Sequence, residues 1–168
     1  MLKELIILIK LLFNSKPSQV LGKELEVMEM KHFPFKGYKW MMWCGRMIYR
    51  KENEEQIRKE MLTHKFEVSK NHERIHLVQA CYYVNNSWIK YYLSYLFEWL
   101  RHGFLAPMTA NYYCSKFESE AYANEEDMEY CDNYNALSTP TYSIKHAKKK
   151  WKSLGGTSTA WKAYIKTL

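Results

Sequence analysis

The segment His72–His76, with the sequence HERIH, constrains this chain more than any other. Residues four apart on an α-helix share a face, so both imidazoles can bind one cation, and Glu73 lies about 100° round the helix, close to the same point. No Gly or Pro interrupts residues 70–86. We therefore predict a helix here, with Ser69 or Asn71 as an acceptable N-cap.

The pattern is HExxH, in which two histidines bind a metal ion and the glutamate acts as a base. A chance match in a chain with six His has a likelihood of roughly one or two in a hundred, so the pattern alone does not exclude a solvated helix that carries two histidines. One stripe of the predicted helix contains His72, His76, Gln79 and Tyr83, at offsets of four, seven and eleven. A metal site here requires a third ligand from elsewhere in the chain.

A glutamate from a later helix is a common third zinc ligand, with the fourth position kept for water. The segment Phe117–Glu125 is helix-prone, and its glutamates Glu118 and Glu120 point to nearly opposite sides because they are two residues apart. Rotation by 100° per residue groups Glu120 with apolar residues such as Ala121, and Glu118 with Glu125. Since an unpaired carboxylate on a core face is costly, we expect a cation to meet Glu120 there. The sequence therefore favours Glu120 over Glu118.

The two segments together resemble the gluzincin metallopeptidases, the thermolysin-like group, and small minimal gluzincin-type proteins in particular. Residues 71–79 read N-H-E-R-I-H-L-V-Q and residues 117–125 read F-E-S-E-A-Y-A-N-E. The resemblance implies zinc as the cofactor, His72, His76 and Glu120 as its ligands, and Glu73 as the catalytic carboxylate. Larger gluzincins often have an Asp four residues after the ligand glutamate to orient a zinc-bound histidine, whereas this chain has Asn124. An amide accepts that hydrogen bond more weakly.

This set of residues predicts hydrolysis of peptide or amide bonds. Zn²⁺ lowers the pKa of bound water toward about 7 and polarises the scissile carbonyl, while Glu73 would accept the proton of the water and pass it to the leaving amine. The tetrahedral oxyanion also needs a hydrogen-bond donor. The sequence leaves four candidates open for this role: Tyr113, Tyr122, His102 and His146.

The order of the predicted elements indicates an α+β fold, with a small antiparallel sheet in the N-terminal half followed by a helical, metal-binding C-terminal half. We predict strands at residues 24–30, 38–44, 46–50 and 66–68. Helices are predicted at residues 2–13, 53–63, from 71 onward, 86–101 and 110–131, and as a C-terminal pair broken at Gly155-Gly156. Residues 1–168 are expected to form one zincin-like domain. In gluzincin-like proteins an edge strand aligns the substrate, and Arg46–Arg50 could fill that role.

Charge and composition limit the classes of partner that this chain can be expected to bind. A net charge of +7 and a pI near 9.1 would suit nucleic acid or an anionic membrane, but much of the excess lies in five lysines between residues 145 and 152. With no nucleic-acid motif, a peptide or protein substrate is the expected partner and nucleic acid is not. Two apolar segments, residues 2–13 and 88–100, are shorter than the ~20 residues of a spanning helix. We expect them to be buried core helices, with peripheral membrane contact left open.

We expect a cytoplasmic location on the basis of two further features. The apolar start lacks a small-residue cleavage site, and the four cysteines contain no CxxC pair, so reduced core thiols are expected.

Two other hypotheses stay open beside the enzyme: a non-catalytic metal-binding or adaptor protein on the same scaffold, and a basic protein associated with membranes or nucleic acid. The sequence does not determine the oligomeric state.

Overall fold

The structure is a computed structural model that describes residues 1–34, 36, 38–101, 110–134 and 142–168. The main elements in chain order are α1 Leu2–Asn14, β1 Glu26–Met30, β2 Met41–Trp43, β3 Arg46–Arg50, α2 Glu54–Glu60, α3 His64–Tyr82, α4 Trp88–Arg101, α5 Ala110–Tyr113, α6 Lys116–Asn124, α7 Ala147–Ser153 and α8 Ser158–Ile165. A small sheet in the N-terminal half is followed by helices, so the predicted α+β class is confirmed.

The sheet is mixed, and the predicted all-antiparallel arrangement is wrong in this respect. Its strand order is β1-β3-β2; β1 runs parallel to β3, with Glu26 opposite Arg46, and β2 runs antiparallel to β3. Alternation of polar and apolar residues locates strands, but strand order depends on where the chain travels between them. Since β3 is the central strand, Arg46–Arg50 cannot be the edge that aligns a substrate. In the described part of the chain the two edge strands are β1 and β2, each of which pairs only with β3.

Helix α3 is longer than predicted. It begins at His64, after Thr63, so the predicted strand at residues 66–68 is wrong and Phe66 is instead a buried residue of the helix. Neither predicted N-cap has that role. Ser69 Oγ donates to the carbonyl of Lys65 within the helix, and the Asn71 amide donates to carbonyls just beyond the end of α6. The helix could extend because no Gly or Pro occurs between residues 64 and 82.

The predicted helix at residues 110–131 is divided into α5 and α6, which are separated at Cys114 and Ser115. Helix α6 lies between two apolar clusters. Phe117 belongs to a cluster formed with the sheet, α3 and α4, whereas Tyr122 belongs to a second cluster formed with α5, α7 and α8. Every residue from Phe117 to Tyr122 is therefore buried. The C-terminal pair α7 and α8 is separated at Gly155 and Gly156, as predicted, and both glycines have positive φ.

Helices α1 and α4 are not the buried core helices that the sequence predicts. Only Leu8 of α1, and only Trp88 and Tyr91 of α4, are buried. Much of the remaining apolar surface of both helices faces outward; the side chains of Phe13 and Phe97 are each 68% exposed. Apolar composition shows that a helix prefers to leave water but not which surface covers it. Among the described residues, no helix combines the length and apolar character needed to cross a bilayer.

Candidate metal centre

Two histidines of α3 and one glutamate of α6 converge in the interior. Nε2 of His72 lies 3.4 Å from Oε2 of Glu118, and Nε2 of His76 lies 3.3 Å from Oε1 of the same carboxylate. One ligand atom from each of the three residues lies within 4.8 Å of the other two. All three side chains are buried. The structure thus brings both predicted histidines together with one carboxylate at a single point.

The packing of α3 against α6 produces this convergence. His72, His76, Gln79 and Tyr83 form the predicted stripe of α3, and every member of it contacts α6. The opposing stripe of α6 starts at Glu118 and continues through Tyr122, whose ring centroid lies 4.5 Å from that of His72. Residues spaced by four on two packed helices therefore meet in register.

The carboxylate at the histidines is Glu118, and Glu120, the ligand expected from the sequence, is not brought to them. Glu120 accepts hydrogen bonds from the hydroxyls of Tyr83 at 2.7 Å and Tyr130 at 2.9 Å, and from the Gln79 amide at 3.1 Å. These three hydrogen-bond donors, rather than a cation, offset the free-energy cost of burying the Glu120 carboxylate. The expectation from the sequence required one solvent-facing side of the helix, whereas every residue from Phe117 to Tyr122 is buried. Both glutamates are therefore buried, and burial does not separate them.

The donor atoms fit a zinc ion. Ligand distances of about 2.0–2.2 Å in tetrahedral geometry place neighbouring ligand atoms roughly 3.4 Å apart, close to the two observed nitrogen–oxygen distances. Oε2 of Glu118 is buried, and its contact with Nε2 of His72, at 3.4 Å, is too long for a strong hydrogen bond. A buried carboxylate oxygen in this state is costly unless something cationic meets it. Two imidazole nitrogens and a carboxylate are a ligand set that suits Zn²⁺.

The outer nitrogens of both imidazoles are held by acceptors. Nδ1 of His72 donates to Oε2 of Glu125 at 2.9 Å, and Nδ1 of His76 lies 2.9 Å from Oε1 of Gln79. A carboxylate can only accept, so the contact with Glu125 assigns the hydrogen of His72 to Nδ1 and leaves Nε2 for a metal. Asn124, the position suggested by the resemblance, instead donates to the Glu120 carbonyl and to Tyr142. Glu125 orients the histidine in its place.

Charge around the site holds protons on the histidines when no cation replaces them. Burial alone would lower the pKa of His72, but pairing with Glu118 and Glu125 raises it to about 10. His76 shows the same balance, and its pKa is raised chiefly by Glu118. Burial would raise the pKa of Glu118, but the two histidines hold it well below its usual range. The site therefore favours positive charge between the imidazoles and this carboxylate.

Glu73 lies beside this cluster and faces a cavity. Burial raises the pKa of its carboxyl group, and Glu118 and Glu125 add to the increase, although the two histidines oppose it. A carboxylate with a raised pKa is a better general base near neutrality than an ordinary glutamate. Its place next to the histidines is the one that the HExxH pattern predicts.

The cavity has a volume of about 330 Å³. Glu73, His76 and Glu118 supply charged groups to its wall. The rest of the wall is aromatic or apolar and consists of Tyr38, Trp40, Met41, Met42, Trp43, Tyr91, Tyr92, Tyr95, Leu96, Trp99 and Tyr112. Three of these side chains come from the edge strand β2. An apolar pocket with a few convergent charged groups is typical of a ligand or substrate site.

Three of the four oxyanion donors left open by the sequence lie in the described structure, and these three do not line this cavity. Tyr122 contacts His72, Tyr113 packs against Tyr122 and Trp151, and His146 lies at the start of α7. His102 lies outside the described residues. The phenols on the wall are other tyrosines, which the sequence analysis did not single out because 14 tyrosines carry no spacing signal.

Most wall phenols already have hydrogen-bond partners. Tyr95 donates to Glu118 at 2.5 Å, Tyr91 contacts Gln79, Tyr92 accepts from the backbone of Cys44, and Tyr112 bonds to Tyr122. Tyr38 differs, because it has a ring contact with Tyr112 but no hydrogen bond to its hydroxyl among the described residues. Tyr38 is the wall phenol best able to donate to a substrate oxygen.

The sequence gives Glu118 only as the less favoured of two glutamates, and it assigns no role to Glu125 or Tyr38. A usable signal existed for the first two: Glu118, Tyr122 and Glu125 fall at offsets of four and seven, the same spacing as the stripe of α3 that they meet. Comparison of the chain with protein-family models, with curated proteins and with solved structures finds no match.

Proposed function

We propose that this protein is a zinc-dependent metallopeptidase of gluzincin type, with His72, His76 and Glu118 as ligands and Glu73 as general base. One observation carries the proposal: Nε2 of both HExxH histidines faces a buried glutamate of a later helix, and the HExxH glutamate faces a cavity beside them. A helix that carries two histidines by chance would not be expected to have a buried glutamate facing both Nε2 atoms, or a cavity beside the glutamate of the HExxH pattern.

The proposed reaction is hydrolysis of a peptide bond. Zinc, when bound, supplies a Lewis acid that polarises the scissile carbonyl and lowers the pKa of water. Glu73 accepts the proton of the attacking water and transfers it to the leaving amine. The hydroxyl of Tyr38 donates to the oxygen that gains negative charge in the transition state. Glu125 and Gln79 hold the two imidazoles in the orientation that leaves each Nε2 available.

The expected substrate is an extended peptide with a large apolar side chain near the scissile bond. Aromatic and methionine side chains form most of the cavity wall, so binding such a side chain removes apolar surface from water. Strand β2 lies at the edge of the sheet and contributes Met41, Met42 and Trp43 to that wall. Its outer edge pairs with no described strand, and pairing with the substrate backbone there would give affinity with little dependence on sequence.

The test is the variant Glu73→Gln. We expect it to bind zinc with unchanged stoichiometry and to lose hydrolysis of an unstructured peptide rich in Phe and Leu, because glutamine cannot accept the proton. Equal activity in the two forms would exclude Glu73 as the base. Hydrolysis by neither form, with stoichiometric zinc in both, would favour the alternative below.

The alternative is a non-catalytic metal-binding or adaptor protein on the same scaffold. One contact favours it: the Tyr95 hydroxyl donates to Oε1 of Glu118 at 2.5 Å, so this carboxylate is already strongly held within the protein. A ligand fixed in this way suits a structural metal site as well as a catalytic one. Nucleic acid is not part of either proposal, because the exposed lysines near α7 lie on elements that contribute nothing to the cavity.

We place the protein in the cytoplasm, with peripheral contact to a membrane. The four cysteines are all free, the state that a reducing compartment maintains. Burial raises the pKa of the Cys44 and Cys114 thiols to about 12, so they behave as core side chains rather than reactive groups. The exposed apolar faces of α1 and α4 support the membrane contact.

A further inference from the structure

Helix α1 carries an exposed apolar stripe on the side opposite its buried residue. Leu2, Ile6, Ile9 and Phe13 recur at offsets of four, seven and eleven, and all are exposed. Leu8, with the partly buried Leu11 and Leu12, faces the protein instead. A soluble surface helix normally places polar residues where this stripe lies.

Helix α4 repeats the arrangement. Ile89, Leu93, Leu96 and Leu100 have the same offsets and are exposed, and Phe97 lies beside them with 68% of its surface accessible. Its opposite face contributes Trp88, Tyr91, Tyr92 and Tyr95 to the core cluster against which Leu11 and Leu12 of α1 also pack. The two helices contact each other. Both stripes face away from this shared cluster, on two helices that contact each other, and we refer to the two stripes together as one apolar patch.

The charges around this patch are basic. Rotation by 100° per residue places Lys3 and Lys10 directly beside the stripe of α1, and Lys90 and Arg101 beside that of α4. All four are exposed. Each helix has one acidic residue, and each lies on the inner side. Glu4 accepts hydrogen bonds from the backbone N–H of Lys31 and from His32. Glu98 is 13% exposed and pairs with Arg101 at 3.4 Å, which partly neutralises that arginine and leaves the three lysines as the unopposed charges of the two helices. The outward face is thus apolar and cationic, without an acidic side chain.

We propose that this α1–α4 face docks on the surface of an anionic lipid bilayer. The apolar stripes would enter the boundary between headgroups and acyl chains, while Lys3, Lys10 and Lys90 would meet lipid phosphates and carboxylates. A second copy of the chain fits less well, because a symmetric contact would bring the same basic residues of both copies together.

The docking proposal extends the membrane contact proposed above and does not depend on the zinc site. Leu96 belongs both to this face and to the cavity wall, so docking would hold the cavity near the bilayer.

The test is sedimentation of the full chain with vesicles of phosphatidylcholine alone or mixed with phosphatidylserine. We expect binding to the mixed vesicles that weakens with salt, and little binding to phosphatidylcholine. The variant Ile6→Ser, Phe13→Ser, Leu93→Ser, Phe97→Ser should bind mixed vesicles at least about tenfold more weakly. The control Leu62→Ser, at a side chain 90% exposed elsewhere, should change binding by less than about twofold.

A charge comparison gives a second readout. Lys3→Gln, Lys10→Gln, Lys90→Gln should weaken binding to mixed vesicles much more than Lys148→Gln, Lys149→Gln, Lys152→Gln, which removes the same charge near α7. Equal losses in these two variants, or no vesicle binding by the wild-type chain, would overturn the proposal. So would a dimer in light scattering that becomes a monomer in the serine variant. Zinc binding and peptide hydrolysis without vesicles should be unaffected by all these variants, so each proposal can fail alone.

Discussion

Gln79 Oε1 lies 2.9 Å from Nδ1 of His76, and the orientation of this amide is fixed by its other contacts. Its Nε2 donates to the Phe117 carbonyl at 3.0 Å and to Glu120 at 3.1 Å, and both of these groups can only accept while Glu120 is ionised. Oε1 must then face His76, so the histidine donates through Nδ1. Glu120 is therefore linked to His76 through Gln79.

The first prediction separates the two glutamates of α6. Glu118→Ala should abolish stoichiometric zinc binding, because it removes a ligand. Glu120→Ala should retain zinc with roughly tenfold to hundredfold lower affinity, because Gln79 loses an acceptor that orients it. It should also lower the free energy of unfolding by about 2–4 kcal/mol, since the Tyr83 and Tyr130 hydroxyls lose a buried partner. Competition with a chromophoric chelator and urea denaturation measure the two effects. The reverse order of zinc affinities would contradict the assignment.

The second prediction concerns the carboxylate behind His72. Glu125→Gln should weaken zinc binding roughly tenfold to hundredfold, because a neutral amide holds the Nδ1 hydrogen less strongly and leaves His72 less basic. Glu126→Gln is the matched control: its side chain is 70% exposed and pairs with Lys166 rather than with a histidine. The same chelator competition, run on both variants, should find the control within about twofold of wild type. A similar loss in the control would mean that only the net charge matters.

The third prediction is the pH dependence of zinc binding. The pKa of His72 is raised to about 10, so the metal-free site holds a proton at neutral pH that zinc must displace. Zinc affinity should therefore keep rising with pH, roughly tenfold per pH unit for each displaced proton, up to about pH 9–10. Glu118, whose pKa is lowered, is already ionised in this range. Histidines with an ordinary pKa would give an affinity that levels off above about pH 7, and that plateau would refute the prediction.

The fourth prediction concerns Tyr38. Tyr38→Phe should lower kcat by about 10²–10³ and leave zinc affinity unchanged, because only the transition-state oxygen loses a donor. Tyr82→Phe serves as the control, since Tyr82 is half exposed and lies outside the cavity wall. Steady-state kinetics on a fluorogenic peptide measure the effect. If kcat is retained and KM alone rises, Tyr38 binds the ground state and another group stabilises the oxyanion.

Local signals in the sequence predicted the elements well. The HExxH helix, the strands around Gly45 and the pair of helices on either side of Gly155-Gly156 are all present, because hydrophobic spacing and glycine act over a few residues. Strand order could not be predicted, since it depends on the route of the chain between β1 and β3. The choice between Glu118 and Glu120 failed for a related reason: a rotation argument needs one exposed face, and α6 has none.

The sequence predicted that α1 and α4 would be buried, but the structure leaves one apolar face of each helix exposed. Composition shows that a helix is apolar, but not which other part of the protein packs against it. Residues such as Ile6 and Leu93 are as apolar as those of a core helix, yet the chain places no described element over them. Apolar stripes that remain exposed in a folded chain are a property of the tertiary arrangement.

The most direct test of the central claim is a crystal structure of zinc-loaded protein, with anomalous diffraction measured on both sides of the zinc absorption edge. We predict one strong peak at about 2.0–2.2 Å from Nε2 of His72, Nε2 of His76 and a carboxylate oxygen of Glu118, with Glu120 still bound to Tyr83 and Tyr130. A peak whose carboxylate ligand is Glu120, or no peak between α3 and α6 in protein that carries stoichiometric zinc, would contradict the account.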